Sequence, residues 1–392
     1  MPEAVIVGAV RTAIGTAFKG SLSETLPEEM ARVVVGESVV RSGLDPKMVD
    51  DVVLAESNYG GGDVARHAAV ETGLVNAPGQ AVNRHCAGGL TAVQVAAGSI
   101  RSGMDRVVIA GGVQSASLNP TQRQRVPTST DEWVEDWMSP ANPETPEAPN
   151  RDMTITVGWN TALEAGVTRE AMDAWALRSH SRAIAAIDGG AFRDEIVPVR
   201  ARQKDGSSRI FEVDEHPRRA TSIDKLAALK PVHPEIEGFS ITAGNSSGIN
   251  DAAAALTLVA DDVATTEGLE PLAVVRAWAN AGVAPQRTGM AVVDGIERLL
   301  ARAGRTVHDI ALWEINEAFA SVPIAACRIL DIDDSIVNVS GSGCSLGHPI
   351  AASGARMLTT LVHELRRRGG GLGVAAMCAG GGMAGALLVD VG

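Results

Sequence analysis

The sequence predicts an α/β protein built from two copies of one half, with a loop-rich segment inserted into the first copy. Short apolar runs of strand length alternate with amphipathic stretches of helix length from residue 4 onward. Asp309-Ile310-Ala311-Leu312-Trp313-Glu314-Ile315-Asn316 repeats Asp51-Val52-Val53-Leu54-Ala55-Glu56-Ser57-Asn58, with the Asp, the Leu, the Glu and the Asn in register. Between the copies, Pro120, Pro127, Pro140, Pro143, Pro146 and Pro149 break any regular element.

Taken in order, residues 4–10 read as a buried strand, Glu28 to Ser42 as an amphipathic helix ended by Gly43, and residues 51–55 as a second strand. Asn58 to Gly62 is a glycine loop, Val64 to Thr72 a helix, and residues 80–83 a short extended segment leading to Cys86. Leu90 to Ile100 is helical, and Arg106 to Ala110 is a strand closed by Gly111-Gly112. Past the proline-rich stretch come a helix from Thr168 to Ile187, extended polar segments near residues 195–199, and the basic turn His216-Pro217-Arg218-Arg219. Thr242 to Asp251 is a loop of small residues, followed by a strand from Ala254 to Val259. Beyond about residue 273 the opening plan returns, and a strand from Gly373 to Met377 ends in Cys378-Ala379-Gly380-Gly381-Gly382. Two sheets packed through shared central helices follow from this duplication.

Length and composition narrow the function. With 392 residues, 45% of them hydrophobic, the chain can bury a large core. A formal charge of −13 argues against a nucleic-acid surface, which needs clustered Lys and Arg. The four cysteines, Cys86, Cys327, Cys344 and Cys378, lack Cys-x-x-Cys spacing, so neither zinc nor a disulfide framework is expected. Cys327, in the apolar run from Val322 to Leu330, reads as core filling. The N-terminus enters a strand without a charged n-region, and no apolar run approaches the roughly 20 residues of a membrane span, so a cytoplasmic protein is expected.

Chemistry concentrates at strand-end loops, which in a duplicated α/β fold meet at the seam between halves. His348 lies between Gly347 and Pro349 at a loop-to-helix junction, with its backbone restricted as suits a positioned base. Cys86 precedes a helix, where the helix N-terminus and a nearby imidazole both favour the thiolate. Cys378 ends a strand and precedes glycines whose N–H groups can approach a carbonyl oxygen. Asn316 ends the repeated strand. Singly, these residues read as a core thiol, a loop histidine, a strand-end cysteine and a turn former; together they read as one site. The repeat alignment sets Cys344, rather than His348, opposite Cys86, and a shift of a few residues at the helix start would remove that mismatch.

The Cys86 motif, Thr242 to Asp251, Asn316 to Ala320, Gly347 to Pro349, Ser353 to Arg356 and Cys378 to Met383 resemble, in order and spacing, the thiolase family over the whole chain. The resemblance implies duplicated βαβαβαββ halves in a layered αβαβα arrangement. Residues 1–119 with 250–272 would form the N-terminal half, 120–249 an inserted loop domain and 273–392 the C-terminal half. It implies a CoA-dependent acyl transfer in which 3-ketoacyl-CoA and CoA give acyl-CoA and acetyl-CoA, without a metal or tightly bound cofactor. Cys86 would take the acyl group, His348 would activate it and help bind the thioester oxygen, and Cys378 would move a proton at the α-carbon. Asn316 would hold a water in one oxyanion site, and the N–H groups of Cys86 and Gly380 would form the other. Ala243 and Ser247 match the pantetheine-contacting loop, Ala318 and Phe319 the site lining, and Arg218 a basic residue near the nucleotide end of CoA. The resemblance further implies a homodimer or homotetramer with CoA and acyl-CoA as partners.

The sequence departs from the family pattern at Gly88, where Ser is usual, and at Ser342 and Ala351, which replace glycines. Ile155 to Ala162, read as a loop, lacks the usual Met-Gly pair and carries an extra residue; Trp159 and Trp137 read first as structural tryptophans, with a narrowed or reshaped acyl pocket as the alternative. These departures favour degradative, β-oxidation-type cleavage over condensation of two acetyl-CoA. The rivals are a decarboxylating ketoacyl synthase, which would not need Cys378, and a non-catalytic acyl-CoA-binding homologue.

Overall fold

The computed structural model of the chain describes residues 1–57 and 63–392. The glycine loop read at Asn58 to Gly62 lies outside the described residues. The first half contains β1 (Ala4–Thr12), α1 (Pro27–Ser42), β2 (Asp51–Ala55), α2 (Val64–Glu71), β3 (Gln80–Val82), α3 (Gly88–Ser102) and β4 (Val107–Gln114). After the insertion, which contains the long helix α4 (Arg169–Asp188), the chain returns to the same sheet as β5 (Asn250–Ala260). The second half comprises β6 (Ala273–Gly282), α5 (Ala291–Ala303), β7 (Leu312–Ile315), α6 (Ser321–Leu330), α7 (Ile350–Arg367), β8 (Gly371–Ala379) and β9 (Met383–Val391). Local signals explain several boundaries: α1 opens with Pro27, Glu28 and Glu29, which suit a helix N-terminus, and closes at Gly43 with φ 71°.

The duplication extends to the topology of four strands in each half. In the first half β1 pairs antiparallel with β5, β5 antiparallel with β4, and β4 parallel with β2. In the second half β6, β9, β8 and β7 repeat that sequence of pairings with the same senses. The two sheets expected from the sequence are, however, spliced into one 11-stranded sheet, because β1 and β6 pair antiparallel at Ala4↔Val275, Val5↔Val274 and Ile6↔Ala273. The equivalent edge strands of the two copies are thus neighbours.

Three apolar clusters define the layers. Met30, Val34 and Val35 of α1 and Ala65, Ala68 and Ala69 of α2 cover the outer face of the first half. Ile296 and Leu299 of α5 and Val322 of α6 cover that of the second. Between the halves, Leu90, Val93 and Ile100 of α3 and Met357, Leu358 and Leu361 of α7 pack with Val108, Leu256, Met377 and Leu387 from both sheets. Helix, sheet, helix, sheet, helix is the resulting order. The central pair packs backbone on backbone: a Cβ on Gly89 would stand 2.7 Å from Ala355 N, and one on Gly354 2.4 Å from Leu90 N.

The insertion is stitched to the first half by Ile196–Val197, which runs parallel to the end of β1, and by a buried ion network. Arg11 of β1 donates to Glu195 Oε1 at 2.6 Å and to both Asp214 oxygens at 2.8 and 2.9 Å, all with fully buried side chains. One expectation is corrected here. Residues 155–162 are not a loop: Thr154–Trp159 forms a π-helix that runs into an α-helix at Asn160–Glu164. A π-turn holds one residue more than an α-turn, so the extra residue is absorbed within a helix.

Candidate active site

Cys86 is held by a tight turn between β3 and α3. His85 adopts φ 43°, unusual for a non-glycine residue, and its N–H donates to Asn83 Oδ1 at 2.8 Å while Ser57 donates to its carbonyl at 3.2 Å. Of the four cysteines, Cys86 alone is partly exposed; Cys327, Cys344 and Cys378 are buried. Two backbone N–H groups, of Gly380 and of Cys86 itself, point at the Cys86 sulfur. Burial nevertheless dominates and pushes the thiol up to about 11, the two N–H groups offsetting only part of that rise. The low dielectric around the sulfur thus opposes the helix N-terminus, which favours the thiolate.

Cys378, at the end of β8, is also pushed up, first by burial and then by the charge of Cys86. The two thiols are thus close enough for the charge of one to act on the other, and Gly380, two residues beyond Cys378, also acts on the Cys86 thiol. A Cβ on Gly380 would stand 3.9 Å from both the His85 ring and Met153 Sδ, which places Met153, the residue before the π-helix, beside Gly380.

His348 is buried just ahead of α7. Its N–H donates to Asn250 Oδ1 at 3.0 Å, and the preceding Gly347 has φ 106° and no room for a Cβ, which would meet Asn250 Oδ1 at 2.3 Å. The ring Nδ1 lies 2.6 Å from Ser353 Oγ, and that hydroxyl donates its proton to Pro349 O at 2.8 Å. The hydroxyl can then only accept from Nδ1–H, so the network assigns the tautomer and makes Nε2 the ring's acceptor. Burial, with a smaller contribution from the Arg356 charge, lowers His348 to about 4 and keeps the ring neutral.

Asn316 Nδ2 lies 3.5 and 3.4 Å from the two ring nitrogens, while Asn316 Oδ1 is a buried acceptor without a protein partner. Such an acceptor is a place for a donor from water or substrate.

Cys86 and His348 occupy equivalent places, each two residues ahead of its central helix, α3 at Gly88 and α7 at Ile350. The apparent match of Cys344 to Cys86 arises because the second copy contains an additional helical turn, Gly343–Leu346, in which Cys344 is buried. The loop of small residues reaches only to Ile249, since Asn250 and Asp251 already belong to β5. It runs beside the Asn316 turn: Ser247 N donates to Ala318 O at 2.9 Å, Ala320 N to Asn245 O at 2.9 Å, and Ser246 bridges Phe319. Ala318 and Phe319 are buried, Ser247 is half-buried and Ala243 is exposed. Arg218 is exposed on the insertion, its N–H donating to His180 Nδ1 of α4 at 3.2 Å; the neighbouring Arg219 is paired with Asp188. Trp159 packs on Phe239 with ring centroids 5.2 Å apart. Sequence reasoning passed over Asn250 and Ser353 as supports of His348, although both lie inside motifs it singled out. Among the described residues no group of three or more His, Cys, Asp or Glu could hold a metal, and no helix is long and apolar enough to cross a membrane.

Comparison with known proteins decides the family. The thiolase N-terminal domain profile matches residues 4–262 and the thiolase C-terminal domain profile residues 269–391. The chain belongs to the thiolase family. It is similar to the acetyl-CoA acetyltransferase of Pseudomonas aeruginosa, at 40% identity over 398 residues and 99% of each chain. Similarity to the acetyl-CoA acetyltransferase of Cupriavidus necator is 38% over the whole of both chains. Among solved structures, the Bacillus anthracis acetyl-CoA acetyltransferase superposes with TM-score 0.90 at 36% identity, covering 100% of this chain and 99% of that one. Human mitochondrial 3-ketoacyl-CoA thiolase in complex with CoA also reaches TM-score 0.90, at 31% identity, over 100% of this chain and 98% of the other. As a thiolase-family member the chain is an acyltransferase enzyme.

Proposed function

We propose that the chain catalyses reversible thiolytic cleavage of 3-ketoacyl-CoA through an acyl-Cys86 intermediate, with CoA and acyl-CoA as its ligands. The observation that carries this reading is the grouping of a partly exposed thiol, two N–H groups aimed at its sulfur and a second thiol that feels its charge. The Cys86 thiol, neutral at rest, would lose its proton to His348 Nε2 as it attacks the 3-keto carbon. The oxygen there becomes negative and would be met by the Cys86 and Gly380 N–H groups, each such donor contributing about 3 kcal/mol. As the C2–C3 bond breaks, the electron pair leaves with the acetyl-CoA fragment and takes a proton from Cys378. CoA then gives its thiol proton to the Cys378 thiolate and attacks the acyl-Cys86 carbonyl, forming acyl-CoA as the Cys86 sulfur leaves and takes its proton back from His348. Asn316, holding a water, would work with His348 on the thioester oxygen of the acetyl-CoA enolate.

Residues 120–249 would act as the inserted domain that holds CoA, with Ser247 and Ala243 along pantetheine and Arg218 free to meet a phosphate. Condensation of two acetyl-CoA is the second reading, and the names of the bacterial relatives favour it. The same groups would perform it in reverse, Cys378 removing the proton it otherwise delivers.

Two measurements test the proposal. Cys378→Ala should still gain the mass of an acyl group on Cys86 when mixed with acyl-CoA, while carbon–carbon cleavage falls about 10²- to 10⁴-fold. Unimpaired cleavage in that variant would point to a ketoacyl-synthase-like route instead. An acyl-CoA panel then reads chain length, and activity confined to four carbons would overturn the degradative preference.

A further inference from the structure

We propose that Glu317 is a positioning residue for the carbon–carbon step: its buried carboxylate binds the turn carrying Asn316, the turn leading to His348 and the insertion helix α4 into one unit. This rests on the roles proposed for Asn316 and His348.

Glu317 is 1% exposed, and its carboxylate accepts four hydrogen bonds from three separate parts of the chain. Trp175 Nε1 and Asn338 Nδ2 donate to Oε1 at 2.8 and 2.9 Å. Ser179 Oγ and Cys344 N donate to Oε2 at 2.6 and 3.1 Å. No Lys or Arg forms an ion pair with it among the described residues. A buried carboxylate without a paired cation costs several kcal/mol unless its lone pairs are satisfied, and here neutral donors do this. So many donors from distant positions would be a costly device for packing alone, which a leucine could provide.

What the carboxylate connects gives it a purpose. One peptide bond away is Asn316, whose amide caps the His348 ring. Cys344 N belongs to the turn Gly343–Leu346, directly ahead of Gly347 and His348. A Cβ on Gly343 would come within 2.4 Å of Glu317 O, so the two turns also touch through their backbones. Trp175 and Ser179 lie on α4, where the next residue, His180, accepts from Arg218 N. The helix that supports the proposed CoA-phosphate residue therefore ends its bonding chain on the residue beside Asn316. Asn338, with φ 52°, exchanges a pair of hydrogen bonds with Ile315 and fixes the strand end from which Asn316 emerges. Displacement of a catalytic group by about 1 Å costs on the order of 100-fold in rate. The clamp would hold Asn316 and His348 to less than that.

The test is Glu317→Gln, which keeps shape but turns one acceptor into a donor facing donors. The expected result is a fall of about 10- to 100-fold in kcat for cleavage, expressed per alkylatable Cys86 thiol, with KM for CoA changed less than about threefold. A purely structural role would lower the number of active thiols and leave kcat per thiol unchanged, which would overturn the proposal. Should that variant fail to fold, Ser179→Ala and Trp175→Phe each remove one donor; a several-fold loss of kcat per thiol in both supports the clamp, and none in either refutes it. Histidine-selective labelling provides a readout without turnover. Glu317→Gln should shift or broaden the His348 ring resonance, assigned by its loss in His348→Asn, and an unchanged resonance overturns the proposal. A wild type inactive toward every acyl-CoA would defeat the proposed function while leaving this spectroscopic result decisive for the clamp.

Discussion

Gly89 and Gly98 lie on the same central helix, α3, yet alanine should act on them in opposite senses. At Gly89 a Cβ would stand 2.7 Å from Ala355 N, 3.0 Å from Ala351 O and 3.3 Å from Gly354 Cα, all backbone atoms of α7. Ordinary contact requires about 3.4 Å or more, so the helices must separate by about 0.7 Å. Overpacking of this kind costs about 1–3 kcal/mol, against a helix-propensity gain of about 1 kcal/mol for replacing glycine. The clash wins, giving a net destabilisation of up to about 2 kcal/mol. Because α3 begins just after Cys86 and α7 just after His348, the same separation moves nucleophile from base, and kcat should fall about 10- to 100-fold. At Gly98 the nearest atom to a Cβ is Trp278 Cζ2 at 3.7 Å, an ordinary contact. There only the propensity gain remains, so Gly98→Ala should raise stability by up to about 1 kcal/mol with kcat unchanged. Denaturant unfolding gives the stabilities and a thiolysis assay the rates. Full activity and wild-type stability in Gly89→Ala would refute the claim that this helix crossing sets the distance between Cys86 and His348.

Two further outcomes follow from buried charge. Burial raises Cys86 to about 11 and lowers His348 to about 4, so both are neutral at pH 7 and the thiolate fraction grows about tenfold with each pH unit below 11. Alkylation of the free enzyme by iodoacetamide should therefore climb about 1000-fold from pH 7 to pH 10; a plateau near neutrality would reveal a resting thiolate–imidazolium pair instead. Arg11→Met leaves Glu195 and Asp214 buried without their shared cation, and should cost about 3–5 kcal/mol in denaturant unfolding, whereas a change under 1 kcal/mol would mean the insertion is held by other contacts.

Much of this was legible in the sequence, since period and punctuation are local. The apolar runs and glycine stops located strands, helices and the element ends bearing Cys86, Asn316, His348 and Cys378 close to where they stand, although Cys378 lies inside β8 and His348 follows a helical turn. What escaped depends on relations between distant segments. The β1–β6 splice arises from how two folded halves meet at equivalent edges, and no pattern within either strand encodes it. The π-turn looked like a loop because one additional residue disrupts the helical period over the short window in which it is read. The helix position of Cys86 can be inferred from the chain, whereas the burial that opposes its ionisation belongs to the assembled site.

The scarcity of aromatics and the 42 glycines acquire a physical reason from the middle layer. Two helices shared by two sheets must bury all their faces, and large side chains between them would hold their axes apart. Close backbone approach at Gly89 and Gly354 instead lets α3 and α7 lie against each other at their beginnings. That is the end at which each copy presents its reactive residue, Cys86 in one and His348 in the other. Duplication alone would produce two similar loops at a distance; small residues at the crossing let the starts of the two helices that follow those loops approach each other. Substitutions along the contact between α3 and α7 should therefore alter kcat more than their stability cost implies, while equally destabilising changes in the outer layer, such as Val35→Ala in α1, should leave the turnover of the folded fraction intact.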